Sequence, residues 1–173
     1  NALGAAAAAL AVGASLEDVQ LGLSQVSVSR VRMELIPWLG EGLVINDAYN
    51  ANPTSMAGAL ETAHEIAAGR PLVLVLGDML ELGPVSEAAH LDIGRRAAEL
   101  DPASLITVGV LARGIAEGAR QTGMGSAAIV QCANHEEAQQ AVLRLARPGD
   151  VILVKGSRGV ALENVVHALC AEL

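Results

Sequence analysis

Aromatic residues are almost absent from this chain. Its 173 residues include no Phe, one Trp and one Tyr, although 52% of them are hydrophobic. The core must therefore be built from Ala, Val, Leu and Ile. This aliphatic content, beside only 17% charged residues, excludes an intrinsically disordered chain. About 70% of the unfolded surface can be buried at this length, which predicts one domain of ordinary size with room for a small appendage.

Cysteine and positive charge are also scarce. Cys132 and Cys170 stand far apart, with no Cys-x-x-Cys pair and no histidine at zinc-ligand spacing. This excludes a disulfide scaffold, gives no sign of a zinc site and favours a reducing, intracellular compartment. The net charge of −8 repels a nucleic-acid backbone, and there are no rows of aromatic residues to stack on bases. Nucleic acid is therefore excluded as a partner.

The first residues are not predicted to form a membrane anchor. The apolar run 2–12 is too short to span a bilayer and lacks the positive flank of a signal peptide. Its alanines predict a helix that ends at Gly13, and Ser15 is predicted to cap a second short helix. Because the chain begins with Asn inside the first helix, we expect it to be a piece of a longer protein. Residues 26–29 are interpreted as a linker.

Strands and helices alternate from about residue 30 onward. Continuous aliphatic runs bounded by Pro or Gly are typical of strands buried on both faces of a parallel sheet. The pattern therefore predicts an α/β fold, a doubly wound and mostly parallel sheet with helices on both faces. The predicted strands are 31–36, 43–45, 72–76, 105–108, 127–131 and 151–154, and the predicted helices are 53–68, 86–99, 111–120, 134–145 and 160–171.

Four polar, glycine-rich segments follow predicted strands in an otherwise apolar sequence. In doubly wound sheets, ligands bind outside the carboxyl ends of the strands, so these segments are the candidate site. They are 46–53, 77–83, 109–113 and 155–159.

The segment 46–53 offers a carboxylate, Asp47, and the only tyrosine, Tyr49, just before a helix that Pro53 begins. A helix N-terminus suits a phosphate or carboxylate, Asp47 can accept from ribose hydroxyls, and Tyr49 can lie against a base. The alternative is a well-capped turn, because Asn and Asp favour caps for local reasons.

The segment 155–159 contains Lys155, the only lysine, beside Arg158. A lysine at the end of a buried strand is well placed to meet an anion as a point charge. The alternative is a side chain that extends from the strand end into water.

The segment 77–83 places Asp78 and Glu81 three residues apart, and His90 lies on the helix that follows. Such carboxylates can serve acid–base chemistry or hold a metal, but solvated loop carboxylates are far more common. The sequence contains no Gly-x-Gly-x-x-Gly, no P-loop, no Gly-x-Ser-x-Gly and no His-Glu-x-x-His motif.

Three of these segments resemble the C-terminal domain of the Mur ligases. The motifs are Asp-Ala-Tyr-Asn-Ala-Asn-Pro-Thr-Ser-Met at 47–56, Leu-Gly-Asp-Met-Leu-Glu-Leu-Gly at 76–83 and Leu-Val-Lys-Gly-Ser-Arg at 153–158. The Asn-Ala-Asn-Pro motif most resembles the sequences of the members that add D-Ala-D-Ala to UDP-MurNAc-tripeptide, since sister ligases tend to carry Ala-His-x-Pro at that place. The alanine-rich start is similar to the last helices of the family's central ATP-binding domain.

The resemblance implies an ATP-dependent amide ligase of cytoplasmic peptidoglycan precursor synthesis, with a Rossmann-like C-terminal domain at 29–173. Residues 1–28 would then be the last helices and linker of the central domain. ATP and Mg²⁺ would be bound mainly by that domain's P-loop and carbamylated lysine, which this sequence lacks. No catalytic residue and no metal ligand is expected here, and the isolated chain is expected to be inactive. The rest of the same polypeptide would be its partner.

Site residues follow from the same resemblance. The nucleotide set would be Arg30, where Ser29 stands in place of the family's usual Gly, together with Asp47, Tyr49, Asn50 and Asn52. The set facing D-Ala-D-Ala or the acyl phosphate would be Lys155, Ser157, Arg158 and, from the 109–113 loop, Arg113. A sister Mur-type or folylpolyglutamate-type ligase domain, and a non-catalytic α/β module that binds a nucleotide or an acid, remain the alternatives.

Overall fold

A computed structural model describes residues 2–25 and 32–171. The helices are α1 (Ala2–Ala11), α2 (Leu16–Ser24), α3 (Pro53–Ala67), α4 (Ser86–Glu99), α5 (Arg113–Gln121), α6 (His135–Leu145) and α7 (Glu163–Cys170). The strands are β1 (Glu34–Trp38), β2 (Gly42–Asp47), β3 (Leu72–Gly77), β4 (Ser104–Val108), β5 (Ile129–Cys132) and β6 (Val151–Lys155).

The six strands form one sheet in the order β1-β2-β6-β3-β4-β5. Only the β1–β2 pair is antiparallel, and every other pair is parallel. Pro37 lies in β1 opposite Leu43, and an edge strand tolerates its missing N–H. The predicted doubly wound, mostly parallel sheet is confirmed.

The helices divide between the two faces of the sheet. Apolar residues of α3, α4 and α5 pack with alternate positions of β3 such as Leu74. Residues of α6 and α7 pack on the opposite face, with Val73 and Val75. Because β3 is buried on both faces, its sequence is a continuous aliphatic run rather than an alternating one.

Reciprocal caps account for the start of two helices. Oγ of Ser15 accepts from the backbone N–H of Asp18 at 3.1 Å. The hydroxyl and then the backbone N–H of Ser15 donate to the Asp18 carboxylate, which lowers the pKa of Asp18. Asn52 and Ser55 form the same reciprocal pair at α3, and Pro53 is the first helical residue. Both predicted caps are confirmed.

Some boundaries differ from the predicted ones. Helix α7 begins at Glu163 rather than at residue 160, because a short 3₁₀ turn covers Arg158–Val160 and Ala161 is left-handed with φ of 55°. A second such turn, Ser126–Ala128, delays β5 to Ile129. The predicted linker at 26–29 lies outside the described residues.

Candidate nucleotide and substrate site

The carboxyl end of β6 is a topological switch point. The helices that follow β2 and β3 pack on one face of the sheet, whereas α7, which follows β6 between them, packs on the other. Loops that leave neighbouring strands toward opposite faces open a crevice between them, where ligands bind in such folds. The segments that follow β2, β3 and β6 therefore meet around one crevice.

A buried ion pair forms the floor of this crevice. Asp47 and Lys155 are opposite one another in the β2–β6 register, and Nζ of Lys155 donates to Oδ2 of Asp47 at 2.5 Å. Nζ also donates to the carbonyl of Asn50 at 3.0 Å. The side chain of Lys155 is 2% exposed, so the alternative in which it extends into water is wrong.

Asp47 keeps hydrogen-bonding capacity on the cavity side. Its Oδ1 accepts from the backbone N–H of Met33 at 3.2 Å, and its Oδ2 accepts from Lys155. A carboxylate has about four acceptor sites, and these contacts use two of them. With 13% of its side chain exposed, Asp47 can therefore accept further hydrogen bonds from a ligand.

Tyr49 is the aromatic wall of the crevice. It is 38% exposed, with the guanidinium carbon of Arg32 4.3 Å from its ring centroid and that of Arg158 5.8 Å away. A cavity of about 260 Å³ beside it collects most of the predicted nucleotide set, and its lining residues are Arg32, Asp47, Tyr49, Asn50, Asn52, Ser55 and Lys155.

Arg32 was missed by the sequence interpretation, which chose Arg30. Arg30 lies outside the described residues, so its predicted role stays a prediction. The available signal was position: Arg32 directly precedes Met33, whose N–H binds Asp47. Because β1 runs antiparallel to β2, an arginine just before β1 lies near the carboxyl end of β2, where Asp47 stands.

Asn52 has a structural role that the sequence left open. Its side-chain oxygen accepts from the N–H of Ser55 at 2.8 Å, so the capped-turn interpretation holds for this residue. Asn52 nevertheless lines the Asp47 cavity, because the cap places the first turn of α3 there.

The remaining predicted substrate residues fall into two separate cavities. Ser157 and Arg158 line one of about 240 Å³ together with Tyr49 and Asn50, so it adjoins the Asp47 cavity. Arg113 lines a larger one, about 630 Å³, between the starts of α4 and α5. The structure thus brings Ser157 and Arg158 to the nucleotide set but places Arg113 apart.

The Asp78 loop joins these loops through hydrogen bonds. Oδ1 of Asp78 accepts from the N–H of Ala112 at 2.6 Å, and its carbonyl accepts from the N–H of Ser157 at 2.9 Å. Oγ of Ser157 accepts from the N–H of Leu80 at 2.9 Å. Gly109 passes so close that an added Cβ would lie 2.5 Å from the Asp78 carboxylate. Asp78 therefore anchors neighbouring loops, a role that the paired-carboxylate hypothesis did not anticipate.

Potential metal ligands and the two cysteine thiols are further candidates for chemistry. Within residues 2–25 and 32–171, no three His, Cys, Asp or Glu side chains converge as metal ligands. Burial raises the pKa of both the Cys132 and the Cys170 thiol, which lowers the fraction present as reactive thiolate. None of the helices in those two ranges is both long and apolar enough to cross a membrane.

A family model described as Mur ligase, glutamate ligase domain matches residues 31–158. The chain belongs to the Mur ligase family. The match begins before β1 and runs through the three motifs, so the resemblance seen in the sequence is confirmed.

Curated relatives place the chain in one branch of the Mur ligases. It is 38% identical over 169 residues to the UDP-N-acetylmuramoyl-tripeptide–D-alanyl-D-alanine ligase of Bacillus subtilis, covering 98% of this chain and 37% of the relative. The ligase of the same name from Mycobacterium tuberculosis H37Rv is 41% identical over 192 residues, covering 99% and 37%. The chain thus spans little more than a third of the length of these relatives.

Solved structures agree with this placement. A crystal structure of MurF from Acinetobacter baumannii superposes with a TM-score of 0.81 at 34% identity, covering 94% of this chain and 35% of that one. The MurF ligase of Thermotoga maritima in complex with ADP gives a TM-score of 0.71 at 23% identity, covering 96% and 36%, and supports the fold alone. The chain is a MurF-type Mur ligase C-terminal domain.

Proposed function

We propose that this domain contributes the adenosine-binding wall and part of the amino-substrate site of an ATP-dependent ligase that joins D-Ala-D-Ala to UDP-MurNAc-tripeptide. The domain proper would be 29–173, and 1–28 would be the last helices and linker of the central domain. The observation that carries the proposal is the single cavity shared by Asp47, Tyr49 and Asn50 at the switch point.

The nucleotide contacts follow from the chemistry of that cavity. The free acceptor sites of Asp47 suit the two ribose hydroxyls, and the exposed ring of Tyr49 suits the face of the base. Asn50 and Asn52 line the same wall, and Arg32 adds a cation for the phosphate side. Arg30 remains a proposed further contact of the same kind.

The amino substrate would be bound by the adjoining loops. D-Ala-D-Ala presents a carboxylate and, at the other end, the amine that reacts. Arg158 offers a guanidinium beside the nucleotide cavity, with Ser157 in the same lining, and Arg113 offers a second cation further out. Lys155 would act through Asp47, because its ammonium is already bound to that carboxylate and to Asn50.

In the proposed reaction, a carboxylate oxygen of the tripeptide attacks the γ-phosphorus of ATP, the bond between the β- and γ-phosphates breaks, ADP leaves and an acyl phosphate forms. The D-Ala-D-Ala amine then attacks the acyl carbon, the amide bond forms and inorganic phosphate leaves. We place Mg²⁺ and the phosphate-binding loop in the central domain, where Mg²⁺ would neutralise the phosphate charge. This chain contributes binding and orientation, so the isolated chain should not ligate, and D-Ala-D-Ala should be the amine that supports turnover in the full-length protein.

The test uses the ribose hydroxyls as the probe. In the full-length protein, Asp47→Ala should raise the KM for ATP about 10- to 150-fold, since a hydrogen bond to a charged group contributes about 1.5–3 kcal/mol. With the unsubstituted protein, the KM for an ATP analogue without ribose hydroxyls should exceed the KM for ATP by the same factor. With Asp47→Ala, the KM values for the analogue and for ATP should be equal.

A matched control is Glu65→Ala, which removes an exposed carboxylate of α3. It should leave both KM values unchanged. Because the comparison is a ratio between two nucleotides on one protein, a general loss of stability in Asp47→Ala does not affect it. If Asp47→Ala still discriminated against the analogue as strongly as the unsubstituted protein, Asp47 would not be the ribose ligand.

A further inference from the structure

His90 is a buried histidine with both ring nitrogens in hydrogen bonds. It is 1% exposed on α4. Its Nε2 lies 3.0 Å from the backbone N of Met79, and its Nδ1 lies 2.7 Å from the carbonyl oxygen of Ser86. A backbone N–H can only donate and a carbonyl can only accept, so the partners assign the proton to Nδ1 and a lone pair to Nε2. The ring is therefore neutral in this arrangement.

Met79 is the middle residue of the loop that joins the other loops of the site. On one side of it, Asp78 accepts from the N–H groups of Ala112 and Ser157. On the other side, the N–H of Leu80 donates to Oγ of Ser157. Because Met79 lies between these contacts, a displacement of its backbone moves the groups that bind the loops after β4 and β6.

We infer that neutral His90 is a positioning residue that fixes the loop 78–80, and through it the loops 109–112 and 155–158, and that protonation of its Nε2 releases them. A protonated ring has a donor on each nitrogen, so Nε2–H would face the N–H of Met79 and one hydrogen bond would become a repulsive contact. The inference concerns how firmly these three loops are held in place, and it does not depend on which ligand binds beside them.

Charged groups of both signs surround the ring. Glu87 on α4 and, across the same cavity, Arg113 and Glu117 on α5 line the space beside His90. Asp78 belongs to the loop itself, and its carboxylate is bound to Ala112. Helix α5 packs tightly here, since a Cβ on Gly114 would lie 2.9 Å from Cβ of His90. The backbone of α5 thus lies directly against the base of the His90 side chain, with the cavity beside it.

The direct test is nitrogen NMR of the histidine rings in this chain. His90 should show protonated Nδ1 and unprotonated Nε2 at neutral pH, and the exposed rings of His64 and His167 serve as internal references. As the pH is lowered, the amide signals of Met79, Leu80, Ala112 and Ser157 should change together with the ring signals of His90, and their hydrogen-exchange protection should fall about 2- to 13-fold as the ring gains its proton.

A variant separates this role from simple packing. In His90→Gln the side-chain carbonyl can still accept from Met79 but does not titrate, so the four amides should lose their pH dependence while the fold is kept. The control His64→Gln should leave the pH dependence intact. A ring with its proton on Nε2, or a His90 that titrates without moving the four amides, would overturn the inference. The position of the ring proton is measured on the unsubstituted chain and needs no variant.

Discussion

Replacing Lys155 by methionine should lower the free energy of unfolding by about 3–5 kcal/mol. Methionine fills much of the same volume, so the substitution mainly removes the ammonium. Asp47, with 13% of its side chain exposed, would retain the Met33 N–H as its remaining partner among the contacts described and would become a nearly buried, uncompensated charge. The cost of leaving such a charge unpaired exceeds the net contribution of the pair itself.

The magnitude can be measured by urea unfolding of this chain. With a slope of about 2–3 kcal/mol per molar urea, the midpoint should fall by about 1–2.5 M. The double variant Lys155→Met, Asp47→Asn should be less destabilised than the sum of the two single variants by about 0.5–3 kcal/mol, because it removes both charges together.

An exposed ion pair of the same chain is the matched control. Arg96 and Asp92 are 2.8 Å apart but 50% and 55% exposed. Arg96→Met should cost about 0–1 kcal/mol, and its cycle with Asp92→Asn should show little coupling. Additive effects at Lys155 and Asp47, or a loss at Lys155 no larger than that at Arg96, would refute the reasoning.

Two further predictions concern stability and reactivity. Gly109→Ala should lower the free energy of unfolding more than Gly69→Ala. Both glycines have a positive φ, which costs an alanine about 1–2 kcal/mol, but of the two only Gly109 lies against the Asp78 carboxylate. Urea midpoints that fell equally in the two variants would contradict this. The half-buried Cys170 should be alkylated before the buried Cys132. Both should react slowly, at a rate that rises with pH, because burial raises the pKa of each thiol. Labelling of the native protein followed by mass spectrometry measures the order, and faster reaction of Cys132 would contradict this prediction.

Local chemistry made much of the fold predictable. The aliphatic run in β3 follows from burial on both faces, and the start of α3 follows from Asn52 and Pro53. Each of these signals lies within a few residues of the feature that it predicts. The starts of β5 and α7 were misplaced because short 3₁₀ turns carry no comparable signal.

The site was predictable as a set of loops but not as a set of contacts. Strand ends in a parallel sheet meet at one edge, so it could be predicted that the loops after β2, β3 and β6 lie together. The pairing of Lys155 with Asp47 depends on β6 lying beside β2, a contact across 108 positions of the chain. The separation of Arg113 from Tyr49 likewise depends on strand order, which the sequence pattern does not determine.

The place of β6 has a consequence for how the chain is assembled. Of the six strands described, the last to leave a ribosome is β6, which lies between β2 and β3. Until residues 151–155 have emerged, the antiparallel pair β1–β2 and the parallel trio β3–β4–β5 have no strand to join them, and each exposes an unpaired edge. Closure of the sheet also brings Lys155 to Asp47, so the nascent protein should gain its cooperative stability and its ligand crevice in the same late step.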